Sequence, residues 1–452
     1  MQLPKEVHMC ISQLQQTGFS AWAVGGCVRD HCLGLIPHDY DLCTDALPEQ
    51  MEAVFADRRL VLAGKKHGTV GVVTDTGVVE ITTFRTEGGY QDHRRPDWVE
   101  FVTDVKQDLA RRDFTVNAMA WSPDRGLCDP FGGQQDLKDH ILRAVGDPWR
   151  RFEEDSLRIL RGVRFGVRFR LTPEEKTLSA MKGMAPLMKD LARERVFDEL
   201  CKLLPLVAVE DLLLYRDILA QVIPELKPTF GFDQKNHHHA YDLYTHIAHV
   251  TAQTPPVAEL RFAALLHDLG KVSTFTVDEA GEGHFYGHAG ESAKLAERIL
   301  RELKAPTAFR ERVVLLVQRH MDTLEPDRKL LLRRLRQYGR ETVEQLLALQ
   351  RADYGSKGAD KQEDPFSETE TLLRQILSES LCLGLKDLAV NGRDLGELGC
   401  PAGPQMGAIL QHLLEQVGEE KLPNDRQALL SEARRCLENK TLDLLRLPMY
   451  NG

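Results

Sequence analysis

Ala23-Val-Gly-Gly-Cys-Val-Arg-Asp30 and His38-Asp-Tyr-Asp-Leu42 decide how this chain folds. They predict a strand, a turn, a short helix and a second strand, in that order. Alternate residues of a strand point to the same face, so Asp39 and Asp41 would present two carboxylates together. Such carboxylates are oxygen ligands that suit Mg²⁺, which also binds phosphate oxygens. On a later predicted strand, Glu80 either completes this carboxylate cluster or faces water as an edge-strand residue.

The turn inside this stretch suits an anion. Gly25 and Gly26 carry no side chain, so a bulky anion can approach the backbone there. Arg29 would lie in the first turn of the following helix, where free backbone N–H groups also face an anion. Taken singly, a Gly-Gly pair is usually only a turn and an Asp-x-Asp only a solvated loop. Together they indicate a site for nucleotidyl transfer from a triphosphate.

In this order the motifs resemble the head domain of the bacterial tRNA nucleotidyltransferase family, which includes CCA-adding enzymes and bacterial poly(A) polymerases. Two later runs carry the same resemblance. Asp108-Leu-Ala-Arg-Arg-Asp-Phe-Thr-Val-Asn-Ala118 is similar to the second motif of the family, and Phe152-Glu-Glu-Asp-Ser-Leu-Arg-Ile-Leu-Arg-Gly-Val-Arg-Phe165 is similar to its Glu-Asp-x-x-Arg motif. Considered alone, each run also fits an ordinary salt-bridged helix.

The second of these runs offers side chains that could read a base. Asp155 and Arg158 would lie one turn apart on a helix, where a carboxylate and a guanidinium supply an acceptor and several donors. The resemblance implies that this pair selects CTP and ATP. Arg161 and Arg164 continue around the helix and suit triphosphate oxygens. The predicted nucleotide-binding residues are Gly25, Gly26, Arg29, Arg112, Asp155, Arg158, Arg161 and Arg164.

A second possible chemistry lies between residues 237 and 353. The order His…His-Asp…His…His…Asp, with His267-Asp-Leu-Gly-Lys271 at its centre, resembles the HD phosphohydrolase superfamily. In that superfamily a metal-bound water attacks a phosphate ester. Imidazoles with carboxylates suit a divalent transition metal of unspecified identity better than Mg²⁺ alone. The predicted ligands are His246, His267, Asp268, His288, His320 and Asp353, although single histidines are more often core or surface residues.

The composition is that of an ordinary globular protein. The chain has 452 residues and a net charge of −10, which disfavours a general nucleic-acid coat protein but allows a local basic surface for RNA. No apolar run approaches the roughly 20 residues of a membrane span. Nine scattered cysteines without a Cys-x-x-Cys pair indicate reduced thiols and a cytoplasmic location.

Periodicity predicts an α+β chain in which a small mixed α/β head, polymerase-β-like by resemblance, precedes a long helical body. The predicted divisions are a nucleotidyltransferase head at 1–145, a nucleotide-selecting neck at 146–225, an HD metal domain at 226–365 and a tRNA-binding tail at 366–452.

The resemblance implies an enzyme that adds C, C and A from CTP and ATP to the acceptor end of tRNA. Asp39 and Asp41 would hold two Mg²⁺ ions for that transfer. A poly(A) polymerase, or an enzyme adding only C or only A, uses the same motifs and stays open. So does an HD metallophosphohydrolase whose head merely binds nucleotide. Nothing in the sequence indicates an oligomeric state.

Overall fold

The computed structural model describes residues 1–88, 98–235, 241–356, 364–378, 384–418 and 421–438. These residues form two units, and the division between them falls after Val314. Each unit is described by itself.

The first unit contains a seven-stranded mixed sheet. Its strands are β1 (Ala21–Val24), β2 (Asp41–Thr44), β3 (Leu60–Val61), β4 (Thr69–Thr74), β5 (Gly77–Thr83), β6 (Ala120–Ser122) and β7 (Gly126–Cys128). Their order across the sheet is β3-β4-β5-β2-β1-β6-β7. Strand β2 pairs antiparallel with β1 and parallel with β5, so it lies at the centre of the sheet.

The first elements of the chain follow its apolar pattern. The helix Lys5–Gln16 buries Val7, Ile11 and Leu14, whose spacing of three and four residues puts them on one face. All four residues of β1 are buried. The strand, helix and strand predicted around residues 23–42 are found as Ala21–Val24, Gly26–Cys32 and Asp41–Thr44. The predicted α+β fold class is confirmed.

The rest of the first unit is mainly helical. Its remaining α-helices are Gly26–Cys32, Pro48–Val54, Val105–Ala110, Gly133–Lys138, Pro148–Glu154, Leu157–Phe169, Glu175–Met184, Arg193–Leu203, Val209–Leu214, Arg216–Val222, Leu243–Gln253, Ala258–Leu266, Lys271–Thr274, His288–Glu302 and Thr307–Arg319, the last of which runs into the second unit. Short strand pairs join Arg85–Gly88 to Trp98–Phe101, Ile141–Leu142 to Thr172–Pro173 and Thr276–Val277 to Gly283–His284.

The helix Leu157–Phe169, here called the arginine helix, differs from its prediction at one end. The sequence predicts continuous helix through residues 152–165, whereas the preceding helix ends at Glu154 and Asp155 is extended, with φ −142° and ψ 102°. The Asp155 carboxylate accepts a hydrogen bond from the backbone N–H of Leu157 at 3.0 Å. Short acidic side chains bond the backbone in this way at helix starts, which explains the break.

The second unit is helical within its described residues. Its helices after residue 319 are Arg328–Tyr338, Arg340–Gly355, Ser367–Ser378, Gly392–Glu397, Pro404–Gly418 and Arg426–Glu438. The last three pack around a core that includes Leu395, Ile409, Leu413 and Leu429.

Two observations bear on the predicted environment of the chain. Within the described residues, no helix combines the length and the apolar character that crossing a bilayer requires. The eight cysteines in the described part are all free thiols.

Candidate active site

A groove of about 420 Å³ lies beside the ends of β1 and β2 and the arginine helix, and we call it the arginine groove. It is lined by Gly25, Gly26, Arg29, Asp41, Arg112, Asp113, Asn117, Asp155, Arg158, Arg161, Phe165 and Arg195. Seven of the eight residues predicted to bind nucleotide are among them, together with Asp41, one of the two predicted Mg²⁺ ligands. The volume is within the range of small-molecule sites.

The two aspartates predicted to bind metal lie on neighbouring surfaces. Asp41 is the first residue of β2, whereas Asp39 lies in the loop before it, with a side chain that is 89% exposed. Both line a second groove of about 740 Å³, and Glu80 of β5 lines it too. Glu80, for which the sequence leaves two alternatives, therefore faces the same space as the two aspartates.

The surroundings of Asp41 favour a bound cation. Desolvation of its carboxyl by the surrounding protein raises the pKa of Asp41, and the charges of Glu80 and Asp39 raise it further, against the opposing charge of Arg112. Carboxylates that repel one another in this way are stabilised by a divalent cation between them. The donor set consists of carboxylate oxygens, which suits Mg²⁺.

Gly25 makes room for an arginine. Its φ is +75°, and a Cβ built at this position would lie 2.7 Å from Nη1 of Arg112. The guanidinium of Arg112 also donates to Asp108 at 3.4 Å. At Gly26 a Cβ would lie 3.6 Å from Nη2 of Arg29, an ordinary contact. Of the two glycines, Gly25 is the one whose backbone and surroundings require a missing side chain.

A buried polar network holds the floor of the groove. Arg161 donates to Asp113 at 2.8 Å, Asn117 donates to Asp113 at 3.0 Å, and Arg29 donates to Asn117 at 2.6 Å. Arg29 also pairs with Asp30 at 2.6 Å. Burial would raise the pKa of Asp113, but the Arg161 charge and the hydrogen bonds from Asn117 and Arg161 lower it to about 2. Asp113 therefore stays ionised and orients Arg161.

Arg29 is committed to the protein itself. Only 6% of its surface is exposed, and its guanidinium lies 4.3 Å from the ring centroid of Phe169. Because its guanidinium also donates hydrogen bonds to Asp30 and Asn117, Arg29 contributes positive charge to the groove but few free hydrogen-bond donors.

The residues expected to read a base lie together but are held differently from the prediction. Because Asp155 is extended, it does not form a helical pair with Arg158; its carboxylate pairs with Arg195 at 3.0 Å. Arg158 donates to Glu154 at 2.7 Å and to the carbonyl of Arg111 at 3.0 Å. An ion pair of Glu154 with Arg158 was the alternative that the sequence also allowed, and it forms here across the break between two helices.

Arg195 is a site residue that sequence reasoning missed. It lines the arginine groove, and within the described residues its Nη1 has no hydrogen-bond partner. The sequence signal that could have found it is the segment Arg193-Glu-Arg-Val-Phe-Asp-Glu-Leu200. This segment resembles a further helical motif of the family, to which a structural role was assigned.

Arg164 lies outside the groove that it was expected to line. Its guanidinium donates to Glu199 at 2.6 Å, and both side chains are buried. The arginine helix turns this residue inward, towards the helix Arg193–Leu203, so its position fits a structural ion pair and not a contact with triphosphate.

The first unit also holds a buried histidine cluster around Asp268. The carboxylate of Asp268 lies 3.4, 3.2 and 3.4 Å from Nε2 of His246, His267 and His288, and 2.8 Å from Nζ of Lys271. His320 and Asp353, the other two predicted ligands, belong to the second unit.

The orientation of two of these rings suits metal ligands. Nδ1 of His267 lies 2.8 Å from the carbonyl of Ala264, and Nδ1 of His288 lies 2.8 Å from the carbonyl of Phe285. A backbone carbonyl that accepts from Nδ1 fixes the tautomer in which Nε2 carries the lone pair, as is common for metal-binding histidines.

Three family models match the chain. The model described as "Poly A polymerase head domain" matches residues 21–143, and "Probable RNA and SrmB- binding site of polymerase A" matches residues 170–230. The model of tRNA nucleotidyltransferase domain 2 matches residues 285–433. A carboxylate at the end of a central strand, beside an arginine-lined groove on a head of this kind, defines a nucleotidyltransferase.

Similar proteins and one solved structure identify the family within the nucleotidyltransferases. A CCA-adding enzyme of Levilactobacillus brevis is 35% identical over 434 residues, which cover 95% of this chain and 98% of the relative. One of Limosilactobacillus fermentum is 34% identical, covering 95% and 96%. The crystal structure of the Bacillus stearothermophilus CCA-adding enzyme in complex with CTP matches with a TM-score of 0.71 and 29% identity, covering 97% of this chain and 99% of that one. The chain belongs to the family of CCA-adding enzymes.

These matches confirm the predicted nucleotidyltransferase. None of their descriptions concerns a phosphohydrolase, and His246, His267 and Asp268 lie between the second and third matched ranges. The HD resemblance and its metal stay predictions.

Proposed function

We propose that the arginine groove binds CTP and ATP in turn and adds C, C and A to the 3′ end of tRNA. The observation that carries this proposal is the position of Asp41, which faces the same groove as Arg112, Arg161 and the pair of Asp155 with Arg195. The names of the relatives and the CTP complex of the similar structure support the choice of substrates. A tRNA substrate and the free thiols support a cytoplasmic location.

Each group has a role that follows from its place. Mg²⁺ held by Asp39 and Asp41 would activate the attacking 3′-hydroxyl and stabilise the departing pyrophosphate. Arg112 and Arg161 would bind the triphosphate, for which guanidinium forks are well shaped. Asp113 holds Arg161 in place, and the protein contributes chiefly positioning and charge stabilisation, as in phosphoryl transfer generally.

Asp155, Arg158 and Arg195 line the arginine groove together and would select the base of the incoming nucleotide. Asp155 offers a carboxylate acceptor, while Arg158 and Arg195 offer donors; both C and A present an exocyclic amino group and a ring nitrogen on the edge used in pairing. Arg195 restrains Asp155 through the ion pair at 3.0 Å, so the acceptor and the donors keep a fixed geometry.

The test is nucleotide addition to a tRNA that lacks its last three nucleotides, with CTP and ATP supplied singly and together. The wild-type chain should add two residues with CTP alone and three with both. Asp39→Ala should abolish addition while tRNA binding survives, and the exposed Asp57→Ala serves as the matched control. A long ladder of A, or addition that stops after C or requires only ATP, would contradict the CCA assignment. Full activity of Asp39→Ala would contradict the metal assignment.

The second unit has a cavity lined by four basic residues, only one of which lies in the predicted tRNA-binding tail at 366–452. Lys329, Arg333, Arg336 and Lys421 line a cavity of about 810 Å³ in the second unit, together with acidic residues. Lysine and arginine clusters bind phosphates by releasing counterions. We expect Arg333→Gln to weaken tRNA binding and to flatten its salt dependence, while CTP binding is unchanged.

A second activity is supported by the histidine cluster. We propose that His246, His267, Asp268 and His288 bind a divalent transition metal, which would supply an activated water for hydrolysis of a phosphate ester. The observation that favours it is the convergence of three imidazole Nε2 atoms on one buried carboxylate. That His320 and Asp353 also bind this metal stays a prediction.

Metal analysis tests this second proposal separately from the first. The purified protein should carry a transition metal that His267→Ala loses, and it should hydrolyse a 2′,3′-cyclic nucleotide only when loaded. His249→Ala, at a half-buried histidine of the same helix as His246, is the control. Equal metal content in the wild type and in His267→Ala would refute it.

A further inference from the structure

A histidine, a carboxylate and a thiol meet between two helices of the second unit. His412 lies on the helix Pro404–Gly418, and Glu432 and Cys436 lie on the helix Arg426–Glu438. Nε2 of His412 lies 3.2 Å from Oε1 of Glu432, and Sγ of Cys436 lies 3.9 Å from the same oxygen. One side-chain N, O or S atom from each residue lies within 4.8 Å of the other two. We call these three residues the tail cluster.

The two helices bring these side chains together because their apolar faces pack on a shared core. Leu413 and Leu429 are fully buried in that core, and Cys436 packs against it. Glu432 and Cys436 are four residues apart and therefore lie on one face of their helix. The side chain of His412 is 22% exposed and that of Glu432 is 11% exposed. The tail cluster is therefore held beside the core but stays within reach of an ion from solvent.

The spacing of the tail cluster fits a metal such as Zn²⁺. Zinc binds histidine nitrogen, carboxylate oxygen and thiolate sulfur at about 2.0–2.3 Å in a tetrahedron, in which two ligand atoms lie roughly 3.3–3.6 Å apart. The two measured separations, 3.2 and 3.9 Å, lie on either side of that range. A mixed set of N, O and S donors favours Zn²⁺ over Mg²⁺, which prefers oxygen ligands. Small side-chain adjustments would therefore close the three atoms around an ion.

We propose that His412, Glu432 and Cys436 bind a Zn²⁺ ion, with water in the fourth position. On binding, the thiol of Cys436 releases its proton to solvent and its sulfur bonds to the ion. Glu432 binds through one carboxylate oxygen and neutral His412 through Nε2, and no electron is transferred. The site is separate from the histidine cluster around Asp268, which belongs to the first unit, and it does not depend on the proposed nucleotidyl transfer.

A surface arginine also contacts the tail cluster. Nη2 of Arg435 lies 2.7 Å from Oε1 of Glu432, and the Arg435 side chain is 68% exposed, so it is able to move. A carboxylate has two acceptor oxygens, and one can bind the ion while the other keeps the arginine. The alternative is an ordinary hydrogen bond of His412 with Glu432, supported by Arg435. That alternative requires no thiol, so variants of Cys436 separate the two.

A metal bound here would cross-link the two helices. Two of its ligands belong to Arg426–Glu438 and one belongs to Pro404–Gly418. Separation of these helices would break the site, so an ion that binds only the closed arrangement stabilises it by linkage. The predicted tRNA-binding tail would then hold the helix Arg426–Glu438 more tightly when zinc is bound.

Cobalt and zinc titrations of the full chain, purified, treated with a chelator and kept reduced without added thiols, test the site. Co²⁺ bound to a thiolate gives a sulfur-to-metal charge-transfer absorption, which imidazole and carboxylate ligands do not give. The cluster around Asp268 therefore does not contribute to this absorption. The wild type should show the charge-transfer band and lose it when Zn²⁺ displaces the cobalt.

Two cysteines of the same core provide a matched pair of variants. Cys436→Ala should lose the charge-transfer band, whereas Cys400→Ala, at a buried thiol of that core, should keep it. His267→Ala should keep it as well, because His267 belongs to the other cluster. Glu432→Gln guards against a folding defect, since it keeps the shape of the side chain and removes its charge. Its Kd for Zn²⁺ should rise by at least the roughly tenfold that loss of an outer-shell partner costs.

Hydrogen exchange measures the cross-link itself. When free Zn²⁺ is a hundred times its Kd, the backbone amides of Arg426–Glu438 should exchange about a hundredfold more slowly in the wild type and in Cys400→Ala. Cys436→Ala should show no such protection.

Three outcomes would overturn the proposal. A wild-type chain that shows no charge-transfer band with Co²⁺ has no thiolate-bound metal. A band that survives in folded Cys436→Ala, or an unchanged Kd for Zn²⁺ in Glu432→Gln, would place the metal on other residues. Exchange of Arg426–Glu438 that does not respond to Zn²⁺ would remove the cross-link between the two helices.

Discussion

Replacing Gly25 with alanine tests how the turn after β1 builds the arginine groove. The residue has φ +75° and ψ −121°, a conformation that only glycine adopts without strain, and forcing alanine into it costs roughly 1–3 kcal/mol. The new Cβ would also lie 2.7 Å from Nη1 of Arg112, so that guanidinium must move. We expect a loss of about 2 kcal/mol of unfolding free energy and, in addition, a higher KM for CTP.

Gly26→Ala is the matched control. Its backbone is helical, its Cβ would make an ordinary contact at 3.6 Å, and alanine favours a helix by up to about 1 kcal/mol over glycine. Urea unfolding and the KM for CTP should be measured for both variants, and for Arg112→Gln with and without Gly25→Ala. If the Cβ acts by moving Arg112, the two effects on KM will not add. Equal effects of the two alanines, or full additivity with Arg112→Gln, would refute this reasoning.

Three further predictions concern charged side chains in and beside the arginine groove. The folded pKa of Asp113 is about 2, below its usual 3.8, so the ionised carboxyl stabilises the protein above pH 4. This contribution, on the order of 2 kcal/mol, is lost as the pH falls towards 2. The difference in unfolding free energy between the wild type and Asp113→Asn, measured by urea unfolding, should therefore shrink over that range. Arg164→Gln should cost about 3 kcal/mol by leaving Glu199 buried without its partner but should leave the KM for CTP unchanged; an altered KM with normal stability would restore its predicted contact with triphosphate. Arg195→Lys should reduce kcat/KM for CTP and for ATP about tenfold, since lysine cannot hold a carboxylate in a fork, whereas Arg193→Lys should not; identical kinetics of the two would remove Arg195 from the site.

The head of this chain was predictable because its signals are local. The spacing of Asp39 and Asp41, the Gly-Gly turn and the apolar strands fix a strand–turn–helix–strand unit that the structure reproduces. The same patterns could not show that Asp41 faces both grooves, since that depends on β5 pairing beside β2 across about 40 residues of chain. The alternatives for Glu80 stayed open for the same reason.

The helical region was harder because a helix pattern does not reveal which face a neighbour covers. Arg161 and Arg164 are equally good phosphate ligands by sequence, but Glu199, on a helix 35 residues later, takes Arg164 into the interior. The break at Asp155 was missed because the carboxylate competes with the helix for the backbone N–H of Leu157, a local bond that periodicity does not detect.

The network that runs from Arg161 through Asp113, Asn117 and Arg29 to Asp30 has a consequence for how the molecule melts. It joins the arginine helix to the segment 113–117 and to the helix Gly26–Cys32, across the predicted boundary at residue 145. Separating the two would leave the buried Asp113 carboxylate without Arg161, at a cost of roughly 3–5 kcal/mol. The head and the arginine helix should therefore unfold in one cooperative transition. This suppresses a partial opening that would release the nucleotide.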